Sequence, residues 1–181
     1  MSRKYKFHNP EGVYFVSFAT VFWIDLFIRE SYFQIMINSL RYCIESKGLI
    51  LYSWCIMPSH VHLIFGSLEN EPGKILGNLK TFTSKVLQKE IYERYDESRK
   101  EWMLGMFRRA GLRNSNIQGM QLWQQDSHPI ELWSFEVLKQ KMEYVHMNPV
   151  LAGFVKEPHY WKHSSAIDYN GGKGLLTLHK V

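Results

Sequence analysis

At 181 residues and 45% hydrophobic content, the chain is long enough for one globular domain with a sizeable core. A formal net charge of +5 permits a polyanionic partner without requiring one, and no stretch approaches the roughly 18 apolar residues that a membrane span needs. Cys43 and Cys55 form neither a C-x-x-C pair nor a Cys-rich framework, which leaves them as small buried hydrophobes of a reducing compartment.

The basic start, Met1 to Lys6, is not followed by an apolar run of roughly 7–15 residues of the kind found in signal peptides, so a cytoplasmic location is expected. Residues 13–20 are β-branched and aromatic behind Asn9-Pro10-Glu11-Gly12 and read as a first strand. From about Arg29 to Lys47, Phe33, Ile37, Leu40 and Ile44 recur at helical spacing, and Gly48 is a stop. Leu49 to Met57 and His60 to Phe65 are strand-like and separated only by Pro58-Ser59, so they pair as an antiparallel hairpin. A second helix runs from about Lys74 into Tyr92 with Ile75, Leu79, Phe82, Val86 and Leu87 on one side. Residues 93–119, rich in charge, Gly and Asn, read as a partly helical insertion and loop. A strand through Gln121–Gln125 is expected next, and then a helix capped by Ser134 and reaching Met147.

This order is that of an α+β, ferredoxin-like βαββαβ fold with an antiparallel sheet and one helix added at the C-terminal end. With no repeat, linker or low-complexity tract, residues 1–181 read as a single domain.

Two short segments carry chemistry. On a strand, His60 and His62 share a face while Val61, Leu63 and Phe65 take the other. Two adjacent imidazoles can present ring nitrogens to one divalent ion. An isolated H-x-H, in a chain with eight histidines, is more often the pattern of two half-exposed side chains beside a turn. On the last helix Tyr144 and Asn148 are four apart and project from one face. The plainer reading there is a core tyrosine and a helix that ends at Asn148-Pro149, because the residue before proline is biased away from α conformation. His146 is set away from Tyr144 and is not read as a ligand. Abundant aromatics, with 6 Trp, 10 Tyr and 11 Phe, suit a core and also suit stacking on unpaired bases.

Together these residues resemble a known family. Met57-Pro58-Ser59-His60-Val61-His62-Leu63 is similar to the M-P-N-H-V-H-L signature of the HUH single-strand transposases. Tyr144-Val145-His146-Met147-Asn148-Pro149-Val150 resembles the Y-I-H-x-N-P-V signature of the REP-associated tyrosine transposases, a branch of the IS200-like group. Trp161-Lys162-His163-Ser164-Ser165 resembles that branch's W/Y-x-x-S-S segment, and Leu79-Lys80-Thr81-Phe82-Thr83-Ser84 its I-K-x-F-T-S stretch. The four pieces occur in the family's order, and the likeness extends from about residue 5 to 176. Ser59 stands where the signature has Asn.

The resemblance implies a transposase that nicks single-stranded DNA and transfers the strand. Tyr144 would be the nucleophile, and His60, His62 and Asn148 would hold a divalent metal, Mg²⁺ or Mn²⁺. Attack would leave a 5′-phosphotyrosine and a free 3′-OH, keeping the bond energy in a covalent link. No general base is identifiable from the sequence. The implied partner is single-stranded DNA bearing a hairpin, with Arg3, Lys4, Lys6, Lys80 and Lys85 as candidate phosphate contacts. Trp123 and Tyr169 are candidates for stacking, although core packing is the commoner fate of such residues. Relatives work as homodimers that share the tyrosine helix or as monomers complete in one chain, and the long tail after Pro149 favours the monomer. The alternative is a ferredoxin-like nucleic-acid-binding module that no longer cleaves. A hydrolytic phosphodiesterase is disfavoured by the lack of an Asp/Glu-rich cluster.

Overall fold

The computed structural model describes residues 7–115 and 117–180. Its sheet has the strand order β2-β3-β1-β4, where β1 is Tyr14–Ala19, β2 is Leu49–Ile56, β3 is His60–Ser67 and β4 is Ile130–Glu131. Every pairing is antiparallel. This is the expected α+β, ferredoxin-like order, with one helix inserted before β4 and another appended after it.

Period-two alternation decides which face is buried against which helices. Val16 and Phe18 of β1, Trp54 and Ile56 of β2, and Val61, Leu63 and Phe65 of β3 belong to the main core. Helices α1 (Glu30–Ser46) and α2 (Pro72–Glu93) cover that face with Phe33, Met36, Ile37 and Leu40 from one and Ile75, Leu76, Leu79, Leu87 and Ile91 from the other. Helix α1 ends as Gly48 turns left-handed at φ 66° and its carbonyl accepts from Leu68 N at 2.9 Å. Helix α3 (Lys100–Leu112) lies inside the stretch whose sequence reads as insertion and loop. Gly111 is obligatory there, since a Cβ would sit 1.8 Å from the carbonyl oxygen of Gly119.

The opposite face of the sheet carries α4 (Phe135–Leu151), which starts as expected with the Ser134 side chain accepting from Val137 N. Leu138 and Val145 of α4, with Leu132 just before it, pack on Phe15, Cys55, Met57 and Ile64 as a second, smaller cluster. Each fully buried side chain of this size contributes about 1.5–3 kcal/mol, enough to dock the helix.

Two expectations are corrected. Residues 121–125 do not form a strand. They run along β1 through a single bridge, Thr20 to Trp123, and through Gln124 N to Ala19 O at 2.8 Å, while Trp123 packs into the core and donates to Thr83 Oγ1. The fourth strand is Ile130–Glu131, paired with Phe15 and Tyr14. Nor does the last helix stop at Asn148. It continues through Pro149 to Leu151, and the chain leaves it at Gly153, left-handed at φ 78°. Proline costs this helix the hydrogen bond that its missing N–H would make, but the preceding backbone stays helical and Ala152-Gly153 is the real stop.

One buried charge locks the start of α1 to the α2–α3 connection. The Glu97 carboxylate accepts from Arg29 Nε at 2.8 Å, Tyr32 Oη at 2.9 Å and Arg99 Nε at 3.2 Å. Burial alone would raise its pKa, but the hydrogen bonds from Arg99, Arg29 and Tyr32 outweigh this and hold it at about 2. Because the folded value lies below the ordinary 4.5, the stabilisation is complete above that pH and is lost as pH falls towards about 2. Glu97→Gln is expected to cost about 2 kcal/mol at neutral pH and to flatten the acid limb of thermal stability in that window. Melting curves against pH check both.

Candidate active site

Strand β3 places His62 opposite Ser17 of β1 and Cys55 of β2, and His60 opposite Ala19, so both imidazoles share the face away from the main core, as the alternation predicts. Their rings meet edge to face at 4.7 Å. Phe15 stacks on His62 at 5.6 Å and 22°, and Trp23 lies edge-on to His60 at 5.6 Å. Burial pushes the pKa of His60 down and takes that of His62 to about 3, so both rings are neutral near pH 7 and keep a lone pair. His62 is 3% exposed, and neither of its ring nitrogens has a hydrogen-bond partner. An orphaned buried polar group costs about 1–3 kcal/mol, so His62 is held here at a cost to stability.

Helix α4 brings Tyr144 to the same place in the same chain. Its ring centroid is 5.6 Å from that of His62 and 5.8 Å from that of Phe15, and it is 44% exposed. One turn on, Asn148 donates its Nδ2 to Tyr144 O at 3.0 Å. The nitrogen is committed there, and Asn148 lies close enough to both imidazoles to favour the protonated form of His60 and of His62. The Ser59 hydroxyl lies 3.2 Å from His60 Nδ1, leaving Nε2 for another partner. Thus the two motifs converge, and all four residues come from one chain.

Sequence reasoning missed Lys141. Its Nζ lies 5.3 Å from the centroids of both Phe15 and Tyr144. The only signal was its position three residues before Tyr144, on the same helical face.

His146 points elsewhere, as expected. Its Nε2 lies 2.8 Å from Ser165 Oγ and 3.0 Å from Ser53 Oγ, and Ser165 Oγ also contacts the backbone of Trp54. This network pins the tyrosine helix to β2. It also gives the Trp161–Ser165 segment a physical role: Ile56 N donates to His163 O and Ser165 N to Trp54 O, so the segment covers the free edge of β2.

The candidate phosphate contacts fare differently. Arg3, Lys4 and Lys6 lie outside the described residues. Lys80 is largely enclosed, which lowers its pKa to about 8, and it donates to Gln124 O, Ser127 Oγ and, at 3.4 Å, Gln125 O. Its ammonium braces the loop beside β1 and is not a free surface cation. Lys85 is exposed on a cleft of about 830 Å³ that Gln88, Gln118 and Gln125 also line. Trp123 is core, while the Tyr169 hydroxyl donates to Tyr52 O.

Among the described residues no group of three His, Cys, Asp or Glu could hold a metal ion. A metal here would need a donor other than those four residue types, and the residues present fit one: two neutral imidazoles, the buried one with both nitrogens unpartnered, and the Asn148 amide close to both.

A ferredoxin-like sheet with a His pair on one face, met by a single tyrosine on an appended helix, invites comparison with the IS200-like transposases. Residues 25–109 match the model of that family, described as "Transposase IS200 like". The fold is similar to the solved structure of a REP-associated tyrosine transposase bound to a REP hairpin, with a TM-score of 0.66 and 14% identity. That likeness covers 99% of this chain and 92% of the other. The resemblance drawn from the motifs therefore holds. No curated protein matches the chain. No helix among the described residues is long and apolar enough to cross a membrane.

Proposed function

We propose that this chain is a single-strand transposase that cuts and rejoins DNA through Tyr144. The observation that carries this reading is the Tyr144 ring 5.6 Å from that of His62, with Asn148 one helical turn further along the same helix and bonded to Tyr144 O, within one chain. The Tyr144 phenolic oxygen attacks the phosphorus of a single-stranded substrate. The bond to the 3′ oxygen breaks, its electron pair leaves with that oxygen, and a 5′-phosphotyrosine forms. The half-exposed Tyr144 ring lets its proton leave to water. Attack by a 3′-OH reverses the step and rejoins the strand without an external energy source.

His60, His62 and Asn148 would hold the divalent ion, Mg²⁺ or Mn²⁺, which when bound neutralises charge on the scissile phosphate and orients it. Two nitrogen ligands suit Mn²⁺ at least as well as Mg²⁺. Lys141 supplies a fixed positive charge beside Tyr144, where phosphate and phenolate charge develop. The solved neighbour is bound to a REP hairpin, and hairpin-bearing single-stranded DNA is the substrate proposed here.

The test is incubation of the protein with a labelled single-stranded hairpin oligonucleotide and Mn²⁺, followed by denaturing electrophoresis. A denaturation-resistant protein–DNA species is expected. Cleavage without such a species would replace this reading with a hydrolytic one. Lys141→Met is expected to slow adduct formation roughly tenfold, the loss of one charge-assisted contact, and Lys141→Arg to retain most of the rate.

A further inference from the structure

Beside His60 the chain makes a turn with strained backbone. Phe22 and Trp23 are consecutive bulky residues in the left-handed region, at φ 57° and 55°. Such a conformation is an outlier for large side chains, and it persists only where the surroundings enforce it. They do so here. Val21 and Ile24 on either side are buried in the main core, and Val21 N donates to Leu122 O at 2.8 Å. The Thr20 hydroxyl lies 2.8 Å from Ile24 O and 3.1 Å from Ser59 O, and Thr20 N donates to Ser59 O at 2.9 Å. The turn is thereby bolted to the residue that precedes His60.

The result of this strain is that two aromatic rings point outwards. Trp23 is 59% exposed and Phe22 42%. The Trp23 ring touches His60 edge-on at 5.6 Å and 73°, which leaves much of its surface open beside the candidate metal site. A glycine would hold the same turn without strain, so the indole is not there for the backbone's sake.

We propose that Trp23 is a stacking platform for a base flanking the scissile phosphate. This inference rests on the reading of the site as one for single-stranded DNA. A nucleotide whose phosphate lies at the His pair carries its base onto the neighbouring surface, and Trp23 is the flat, open surface there. Every base has a π-face, so such a platform holds the strand with little regard to sequence.

Fluorescence anisotropy of the full chain with a labelled hairpin oligonucleotide carrying a short single-stranded flank, and with the same hairpin carrying an abasic flank of equal length, tests this. Trp23→Ala is expected to weaken binding to the base-bearing strand roughly tenfold, and Trp23→Phe to retain most of it. Binding to the abasic strand should be the same for wild type and Trp23→Ala. Trp23→Gly, which relieves the positive φ, should melt at or above the wild-type temperature while binding as weakly as Trp23→Ala. Equal binding of wild type and Trp23→Ala to the base-bearing strand overturns the inference alone, as does an equal loss on the abasic strand. Failure of the wild-type chain to bind either strand overturns the proposed function and the inference with it.

Discussion

Tyr144→Phe is expected to abolish the covalent protein–DNA adduct, lowering its rate of formation by a factor on the order of 10³ or more, while leaving the fold intact. The substitution removes only the hydroxyl. The ring keeps its edge-on contacts with His62 and Phe15, and Asn148 keeps its bond, which is to the backbone carbonyl of residue 144. Melting temperature should therefore stay near wild type, and single-strand binding should survive. If adduct still forms at the wild-type rate on denaturing gels, another nucleophile acts and the assignment fails.

The second large effect is at His62. Replacement by Phe removes both nitrogens that the fold leaves without partners and puts an apolar ring against Phe15, where His62 already stacks. Without metal the variant should melt at or above the wild-type temperature, since an unmet buried polar group costs about 1–3 kcal/mol. Mn²⁺ should raise the melting temperature of wild type, as any ligand that binds only the folded state does, by about 2.7 kcal/mol of stability at one hundred times Kd. That rise should vanish in His62→Phe, and adduct formation should fall by a factor on the order of 10³. A variant that keeps the Mn²⁺-dependent rise would remove His62 from the ligand set. Calorimetric melting with and without Mn²⁺ separates these results from a simple loss of folding.

Which residues share a face in each half of the candidate site was legible because each half follows a strict period, while their roles were implied by the family resemblance of the motifs. His60 and His62 alternate with Val61, Leu63 and Phe65, and the apolar set decides which face meets the main core. Tyr144 and Asn148 are one helical turn apart, which sets them on one face whatever the helix packs against. What a period cannot supply is the partner. That α4 lies across the His face is a matter of tertiary packing, through Leu138 and Val145 on Phe15 and Ile64. Lys141 was illegible for that reason: in the sequence it is one lysine on a helix, and its meaning comes from the ring beneath it.

The misread elements have equally local causes. Gln121–Gln125 has strand composition because Leu122 and Trp123 are core residues, yet its backbone bonds to β1 at only a few points. The true β4 has two residues behind Pro129, too short for any alternation to show. Pro149 biases against helix at Asn148 but does not forbid it, and Gly153 was the better stop signal. Lys80 shows the limit of charge as a clue. A lysine that braces a loop and one that meets a phosphate are the same letter, and only its three acceptors tell them apart.

The central claim is that Tyr144 and the His pair act within one chain. It is tested most directly by mixing two inactive variants, Tyr144→Phe and His62→Ala, and assaying for adduct with a labelled hairpin oligonucleotide. A site shared between two copies would be rebuilt in the mixture, because one chain supplies an intact His pair and the other an intact tyrosine. A site complete in each chain cannot be rebuilt. The geometry predicts no adduct at any mixing ratio, and recovery of adduct in the mixture would contradict it.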